Sequence, residues 1–314
     1  MEFVGKRLIL TIITLFLVSL LTFAAFNMIP GDPASLILGI DGTDEQIAAL
    51  RTELGLDRSL PEQYGSWLLR FITGNLGNSV RFRGASIAGM VMERLPVTFW
   101  LAFLSLVLIF LIAIPVAVFS SCRENSFLDR LVNTVTTISI SVPGFFLGVL
   151  FIWVFGLLLQ FFRPGAYVPL EENFGAFLQY LLFPALAIAI PNAAMVIKFL
   201  RGSIFQQLRS DYVRTAYSKG GSRSWVLYRH VLRNAVIPAV TLLGMIIGEI
   251  FSGSIVIEQV FTIPGIGRLL IASITSRDLL LVQSLVVYIA CIVVLANTLV
   301  DIAIQMIDPR IRVK

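Results

Sequence analysis

From Pro96 through Cys122 no residue carries a charge. A helix rises about 1.5 Å per residue, so such a run spans the ~30 Å hydrocarbon core of a bilayer. That one feature confines the chain to a membrane fold, because buried runs of this length do not suit a soluble core. Five further segments read the same way, which gives six spans at about 8–28, 97–120, 138–161, 178–199, 236–257 and 279–304. The composition agrees: 57% of residues are hydrophobic and 14% charged, and the mean hydropathy is +0.88. Soluble domains carry roughly a quarter charged residues. The first apolar run follows Lys6 and Arg7 and exceeds the ~7–15-residue core of a signal peptide, so it reads as an uncleaved span. The expected fold class is therefore an all-α integral membrane protein with six transmembrane helices.

Lys and Arg placement orients the spans, since cytoplasmic loops hold the excess. With the N-terminus inside, the inner segments hold Lys6 and Arg7, then Arg123 and Arg130. They also hold Lys198, Arg201, Arg209, Arg214, Lys219, Arg223, Arg229 and Arg233, and finally Arg310, Arg312 and Lys314. The outer segments hold fewer, and the first of them, 30–95, carries more acids than bases. Both termini are expected in the cytoplasm. The net charge of +5 is thus a topology signal, and nucleic acid is not an expected partner. Cys122 and Cys291 lack metal-ligand spacing and His230 is the single histidine. No metal site is expected.

The outer segment is too long for a connector. Thr43 with Gln46, and Ser59 with Glu62, have capping-box spacing. Gly55 can end the first helix, and Gly74, Gly77 and Gly84 punctuate the remainder of the segment. A small external helical lobe between the first two spans is expected, as a cap on the outer mouth or as a docking surface. Pro143, Pro184 and Pro191 fall inside apolar runs and mark kinks. These are either packing irregularities or bends that open a cavity.

Between the fourth and fifth spans lies a basic polar loop, 201–235. Two helical stretches fit it, about 203–219 and 222–235, separated by Gly220-Gly221. A side chain at Gly220 is expected to block the tight turn between them. Ser222 can cap the second. Apolar residues recur at helical spacing: Ile204, Leu208, Tyr212, Ala216 and Tyr217 in the first, then Trp225, Tyr228, Leu232 and Val236. The residues leave three readings open. The loop can lie on anionic lipid, it can be a solvated topology element, or it can be a rigid knob for a groove on another protein.

Here the sequence carries a resemblance. DYVRTAYSKG from Asp211 and RHVLRNAVIP from Arg229 resemble the cytoplasmic coupling loop of binding-protein-dependent ABC importer permeases. The variant is similar to the dipeptide, oligopeptide and nickel permease family. Ile29-Pro-Gly-Asp-Pro33, Leu54-Gly-Leu-Asp57, Gly74-Asn-Leu-Gly77, Ile263-Pro-Gly-Ile-Gly-Arg268, Arg277-Asp278 and Asp308-Pro-Arg310 extend the likeness over essentially the whole chain. The general motif has Glu-Ala-Ala before the glycine, whereas this chain has Arg214-Thr215-Ala216.

The resemblance implies one non-catalytic permease subunit in a bacterial inner membrane. Its implied partners are a homologous second permease, two cytoplasmic ATPase subunits, an external solute-binding protein and membrane lipid. The cargo implied is a small peptide; the same machine carrying nickel or a metal chelate is the alternative. No G-x-x-x-x-G-K-[ST] phosphate cradle occurs. ATP and Mg are therefore expected on the partner subunits, with no cofactor on this chain. Asp211, Arg214, Thr215, Ala216, Gly220, Gly221, Arg229 and Arg233 are the implied ATPase-coupling residues. The resemblance also places Pro264, Gly265 and Gly267, within the amphipathic stretch 258–278, at an outer gate, the other reading being a plain connector.

Inside the spans Glu249 stands out, because a charge at mid-span costs about 2.5–3.5 kcal/mol on insertion scales. It either ties helices together or lines the substrate pathway. Asn192 is a second pathway candidate, and Asp301, nearer a span end, reads as structural. An ion-coupled secondary transporter would leave the basic loop unexplained and would show inverted repeats; none is evident. A purely structural scaffold fits the kinked spans and Glu249 less well.

Overall fold

A computed structural model describes residues 2–28, 34–35, 43–79, 81–82, 84–122 and 126–307. The motifs at 29–33 and 308–310 lie outside these residues, as do Arg83, Arg123 and the basic C-terminal tail. Among the described residues every regular element is a helix, and one isolated bridge pairs Asn78 with Ser86.

Four helices are long and apolar enough to cross a bilayer unbroken: Val4–Asn27, Ile87–Ser121, Phe174–Leu208 and Leu279–Ile302. They lie in α1 (Glu2–Asn27), α4 (Ile87–Ser121), α7 (Phe174–Leu208) and α13 (Leu279–Ile307). Two bent pairs complete six spans when each pair counts as one. The first joins α5 (Phe127–Ser141) to α6 (Gly144–Phe151), which runs on as a π-helix over Ile152–Leu158. The second leads from α10 (Leu232–Thr241) to α11 (Leu243–Val260). The protein is thus an all-α membrane protein.

The chain forms two compact units, Met1–Pro96 with Gly265–Leu295, and Val97–Pro264 with Ala296–Lys314. The first unit holds the lobe. Thr43 caps α2 (Asp44–Leu54) reciprocally with Gln46, and Gly55 closes it at φ +71°. The Ser59 amide donates to Glu62 Oε2 at 3.2 Å, starting α3 (Leu60–Ile72). An aromatic column then ties α3 to α1 and α13: Phe23, Tyr64, Trp67, Phe71 and Tyr288 follow one another at 5.2–6.1 Å. Beside it, Ile87 and Val91 pack with Leu281, Leu285 and two residues of α12 (Ile266–Thr275), Ile266 and Leu269. Away from these contacts α1 presents bare apolar side chains, Ile12 at 66% and Leu21 at 67% exposure, as a helix facing lipid does.

In the second unit α7 is the central helix, with α5, α6, α10 and α11 packed on it. Alanines 185, 187, 189, 193 and 194 on α7 are buried, and small side chains let neighbouring backbones approach. Pro184 and Pro191 both lie inside α7, which continues through them. Pro143 alone breaks a helix. It holds φ near −61°, and Val142 before it is forced extended, at φ −92° and ψ 121°. The chain turns by 97° there. The apolar residues 138–141, expected to begin an unbroken third span, therefore end α5 on the near side of the bend.

Pro191 lacks an N–H, so the carbonyl of Ala187 has no donor four residues on. Gly144 lies against that oxygen so closely that a Cβ would stand 3.1 Å from it. One turn later, a Cβ on Gly148 would meet Phe261 at 3.1 Å and Ile257 at 3.2 Å. Gly144 and Gly148 form a G-x-x-x-G step that lets α6 fit between α7 and α11. Its spacing is legible in the sequence, although charge and hydropathy alone give it no weight.

Candidate functional site

The basic loop is built on a buried root. Helix α7 does not stop at the end of the apolar run but continues to Leu208, because nothing from 199 to 208 interrupts it. The expected helix 203–219 is therefore divided. Ser210 adopts an extended conformation and starts α8 (Asp211–Ser218). Val213, Val226, Leu227 and Val231 are buried in the same core as Ile204 of α7.

Two inner contacts hold the root. Arg201, buried at the end of the apolar stretch of α7, forms a partly buried ion pair with Asp129 of α5 and stacks its guanidinium over the Phe205 ring. Arg223 donates to the Cys122 carbonyl at 2.7 Å, just after α4. The Asp129 partner, 72 positions away in sequence, leaves no local signal.

The turn between the two helices is defined bond by bond. The Gly220 amide donates to the Tyr217 carbonyl at 2.9 Å and the Gly221 amide to Ala216 at 3.1 Å. This pair of bonds is a Schellman closure, which places its central residue in the left-handed region. That residue is Gly220, at φ +84°. The expected role of Gly220 was steric, that of leaving room for the turn. The geometry corrects it: a Cβ on Gly220 meets nothing within 4 Å, while one on Gly221 would meet the Ala216 oxygen and Val226 Cγ2, each at 2.9 Å. Gly220 supplies conformation and Gly221 supplies space. Ser222 then accepts from the Trp225 amide at 3.4 Å and starts α9 (Arg223–Val226), which widens into a π-helix over Leu227–Val231 before α10.

The expected apolar stripe is corrected in part. Ile204, Leu208, Ala216, Leu232 and Val236 do pack on the core. Tyr212, Tyr217, Trp225 and Tyr228 are exposed, and Val213, Val226, Leu227 and Val231 take the inner positions. Val213 and Val226 each sit one position beyond an exposed aromatic residue, Tyr212 and Trp225. The outer face therefore displays aromatic rings among cations. Arg214, Lys219, Arg229 and Arg233 are all exposed there. Asp211 lies 3.7 Å from Arg214, their side chains 97% and 78% exposed, so that pair is weak in water. Thr215 donates its hydroxyl to the Asp211 carbonyl. An open hollow of about 710 Å³ lies over the turn, lined by Tyr212, Thr215, Ala216, Lys219, Gly220, Gly221, Ser222, Trp225 and His230. The Trp225 and His230 rings meet edge to face at 4.8 Å.

Among the curated proteins that align with almost every residue of this chain are two permeases. One is "Probable peptide ABC transporter permease protein" of Sinorhizobium fredii, 34% identical over 99% of each chain. The other is the glutathione transport system permease protein GsiC of Escherichia coli, 37% identical over the full length of both. The family of binding-protein-dependent transport system inner membrane components matches residues 113–313, and its N-terminal companion matches residues 1–102. This chain belongs to that permease family.

Within the permease, the remaining candidate residues are not gathered in one place. Glu249 is exposed on α11, on a face shared with Met245, Ser252 and Val256, while Ile246 and Ile250 are buried. Asn192 is buried in α7, its amide donating back to the Ile188 carbonyl at 2.9 Å. Pro264 closes the second unit and is half-buried; Gly265 caps α12 and Gly267 is buried in its first turn. Just before Pro264, Thr262 holds a φ of +57°, an uncommon state for a β-branched residue. Tyr180 steadies that turn, donating to the Phe261 carbonyl at 2.6 Å and accepting from the Gly165 amide at 3.2 Å. Nearby, burial first and then the Glu171 carboxylate push the Tyr167 phenol above its ordinary pKa, so this ring packs as a neutral group against Phe177 and Tyr180.

In the first unit, Asp278 is an unexpected centre. It is buried, and one carboxylate oxygen caps α13 by accepting from the Leu281 amide at 3.2 Å. The other accepts from the Ser79 hydroxyl at 2.5 Å and the Arg81 amide at 3.3 Å. It joins the lobe to a span, and its role is architectural.

Proposed function

We propose that this permease forms half of the transmembrane path of an ATP-driven importer for small peptides, with the 201–235 loop as its seat on a cytoplasmic ATPase subunit. The observation that carries the loop assignment is the division of its residues. An apolar root is fused to the core while rings and cations are held outward on a Schellman turn. A surface fixed in this way transmits a push as a rigid body, and a loosely solvated loop does not. The names of the aligned permeases support peptide cargo; glutathione is itself a tripeptide. The basic loop supports the orientation, with both termini in the cytoplasm.

In this reading the mechanism has two states. Closure of two partner ATPase subunits on ATP and Mg displaces α8 and α9. Their attachment to α7 through the buried Val213 and Val226, with the Arg201–Asp129 pair tying α7 in turn to α5, carries the displacement into the spans, and access to the central path switches sides. This chain contributes no nucleotide chemistry. A homologous second permease completes the path, and an external solute-binding protein delivers the peptide. Glu249 lies on an open face of α11, where a carboxylate in lipid is costly. It therefore faces the path or the second permease, positioned to meet a peptide ammonium group. Pro264, Gly265 and Gly267, next to the strained Thr262 turn, border the outer gate.

The test is reconstitution of the chain with its second permease, ATPases and binding protein in vesicles. ATP-dependent accumulation of labelled di- and tripeptides, with no uptake of nickel, is the expected result. Accumulation driven by an ion gradient without ATP would refute it.

A further inference from the structure

We infer that the ATPase surface receiving this loop is acidic, and that a carboxylate side chain from it enters the hollow between α8 and α9. This rests on the coupling role proposed above. The loop's outer face holds Arg214, Lys219, Arg229 and Arg233 exposed, against the single acid Asp211, whose carboxylate already lies beside Arg214. No other Asp or Glu occurs between residues 198 and 233. A face with this excess of positive charge meets a negative one, because like-charge contact costs several kcal/mol and opposite charge steers docking. Lys219 and His230 both line the hollow, and the exposed Trp225 ring forms one wall. An incoming carboxylate would gain the ammonium group of Lys219 and a drier setting beside the ring.

Anionic lipid has the same chemistry, but the height of the loop disfavours it. Helix α7 continues from Lys198 to Leu208 without a break, carrying the chain about 15 Å beyond the last apolar turn. The headgroup layer on each face is only about 5–7 Å thick. An α7 running along the bilayer normal would therefore lift its end, and the loop that starts there, past the headgroups.

The experiment measures association of the purified ATPase subunits with the permease pair in nanodiscs of neutral lipid and, in parallel, in discs containing anionic lipid. Rates are followed between 50 and 500 mM salt, for the native chain, Arg214→Glu with Arg229→Glu, and Lys219→Gln. The native rate is expected to fall about tenfold or more over that range. The double reversal is expected to slow association about tenfold at low salt and to flatten the salt dependence. Lys219→Gln, a change at an exposed side chain, is expected to accelerate release at every salt concentration. Rates indifferent to salt and to all three substitutions would overturn the acidic surface while leaving the ATPase as partner. Effects that appear only when the discs contain anionic lipid would assign the face to lipid instead and also overturn it. Failure of the native chain to hold any ATPase would refute the importer reading itself.

Discussion

The hydroxyl of Ser79 donates to Asp278 across 199 positions of sequence, at 2.5 Å, where the carboxylate is buried. The same carboxylate caps α13, so one side chain fastens both the lobe's last turn and the start of the final span. Hydrogen bonds to a buried charge are each worth about 1.5–3 kcal/mol. Asp278→Ala is expected to lower unfolding stability in detergent by about 3 kcal/mol and to open the 74–86 segment to protease. Ser79→Ala should cost less, since it leaves the cap intact. Equal protease resistance in Asp278→Ala and the native protein would remove Asp278 from this role.

Gly220 and Gly221 separate two physical demands that sit side by side. Asn tolerates the left-handed conformation, and nothing crowds position 220. Gly220→Asn should therefore keep most of the coupled ATP hydrolysis, and Gly220→Val should lose more of it. Gly221→Ala puts a methyl group 2.9 Å from a backbone oxygen and is expected to cut peptide-stimulated hydrolysis at least tenfold with normal membrane insertion. Full stimulation in Gly221→Ala would show that the turn can open without consequence.

The Arg201–Asp129 pair, with Arg201 buried and Asp129 largely so, joins the loop's supporting helix to α5. Removing one partner of a buried pair typically costs about 3–5 kcal/mol, because the other charge is left in a dry site. Asp129→Asn should destabilise strongly, as read by thermal unfolding in detergent. The double change Asp129→Asn with Arg201→Met should recover a large part of that loss. An additive double mutant would mean that the two side chains do not act as a pair.

Glu249 is the one acid of α11 left exposed in the single chain, since Glu258, with Thr98 donating to it at 2.6 Å, is fully buried. Glu249→Gln keeps the shape and removes the charge. Peptide uptake is expected to fall several-fold while co-purification of the subunits is unchanged. An equal fall in both quantities would assign Glu249 to the permease–permease contact.

The G-x-x-x-G step brings α6 close to α7 and α11. Gly148→Leu would drive a side chain into Phe261 and Ile257, and overpacking of this kind costs about 1–3 kcal/mol or more. Loss of thermal stability, with Gly144→Ala intermediate, is the expected outcome of a melting series; unchanged melting would show that α6 can shift away from α11.

The sequence by itself determined the class, the six apolar segments, the basic loop and its central glycines. A membrane is a layered solvent, so hydropathy and Lys/Arg placement along one dimension carry that information directly. The helix starts at Thr43 and Ser59 and the break at Pro143 were legible for a related reason: their partners lie within four residues, or the imino ring itself imposes the backbone. Pro184 and Pro191 carried the same local signal, yet only packing decided that α7 runs on through them. Tertiary structure alone decided which face of the loop turns inward, that Val213 and Val226 take the root and Tyr212 and Trp225 the surface. It decided that Asp129 finds Arg201, and that Asp278 finds Ser79. Each of these depends on a distance between groups far apart in the chain, which periodicity and charge along the sequence do not encode.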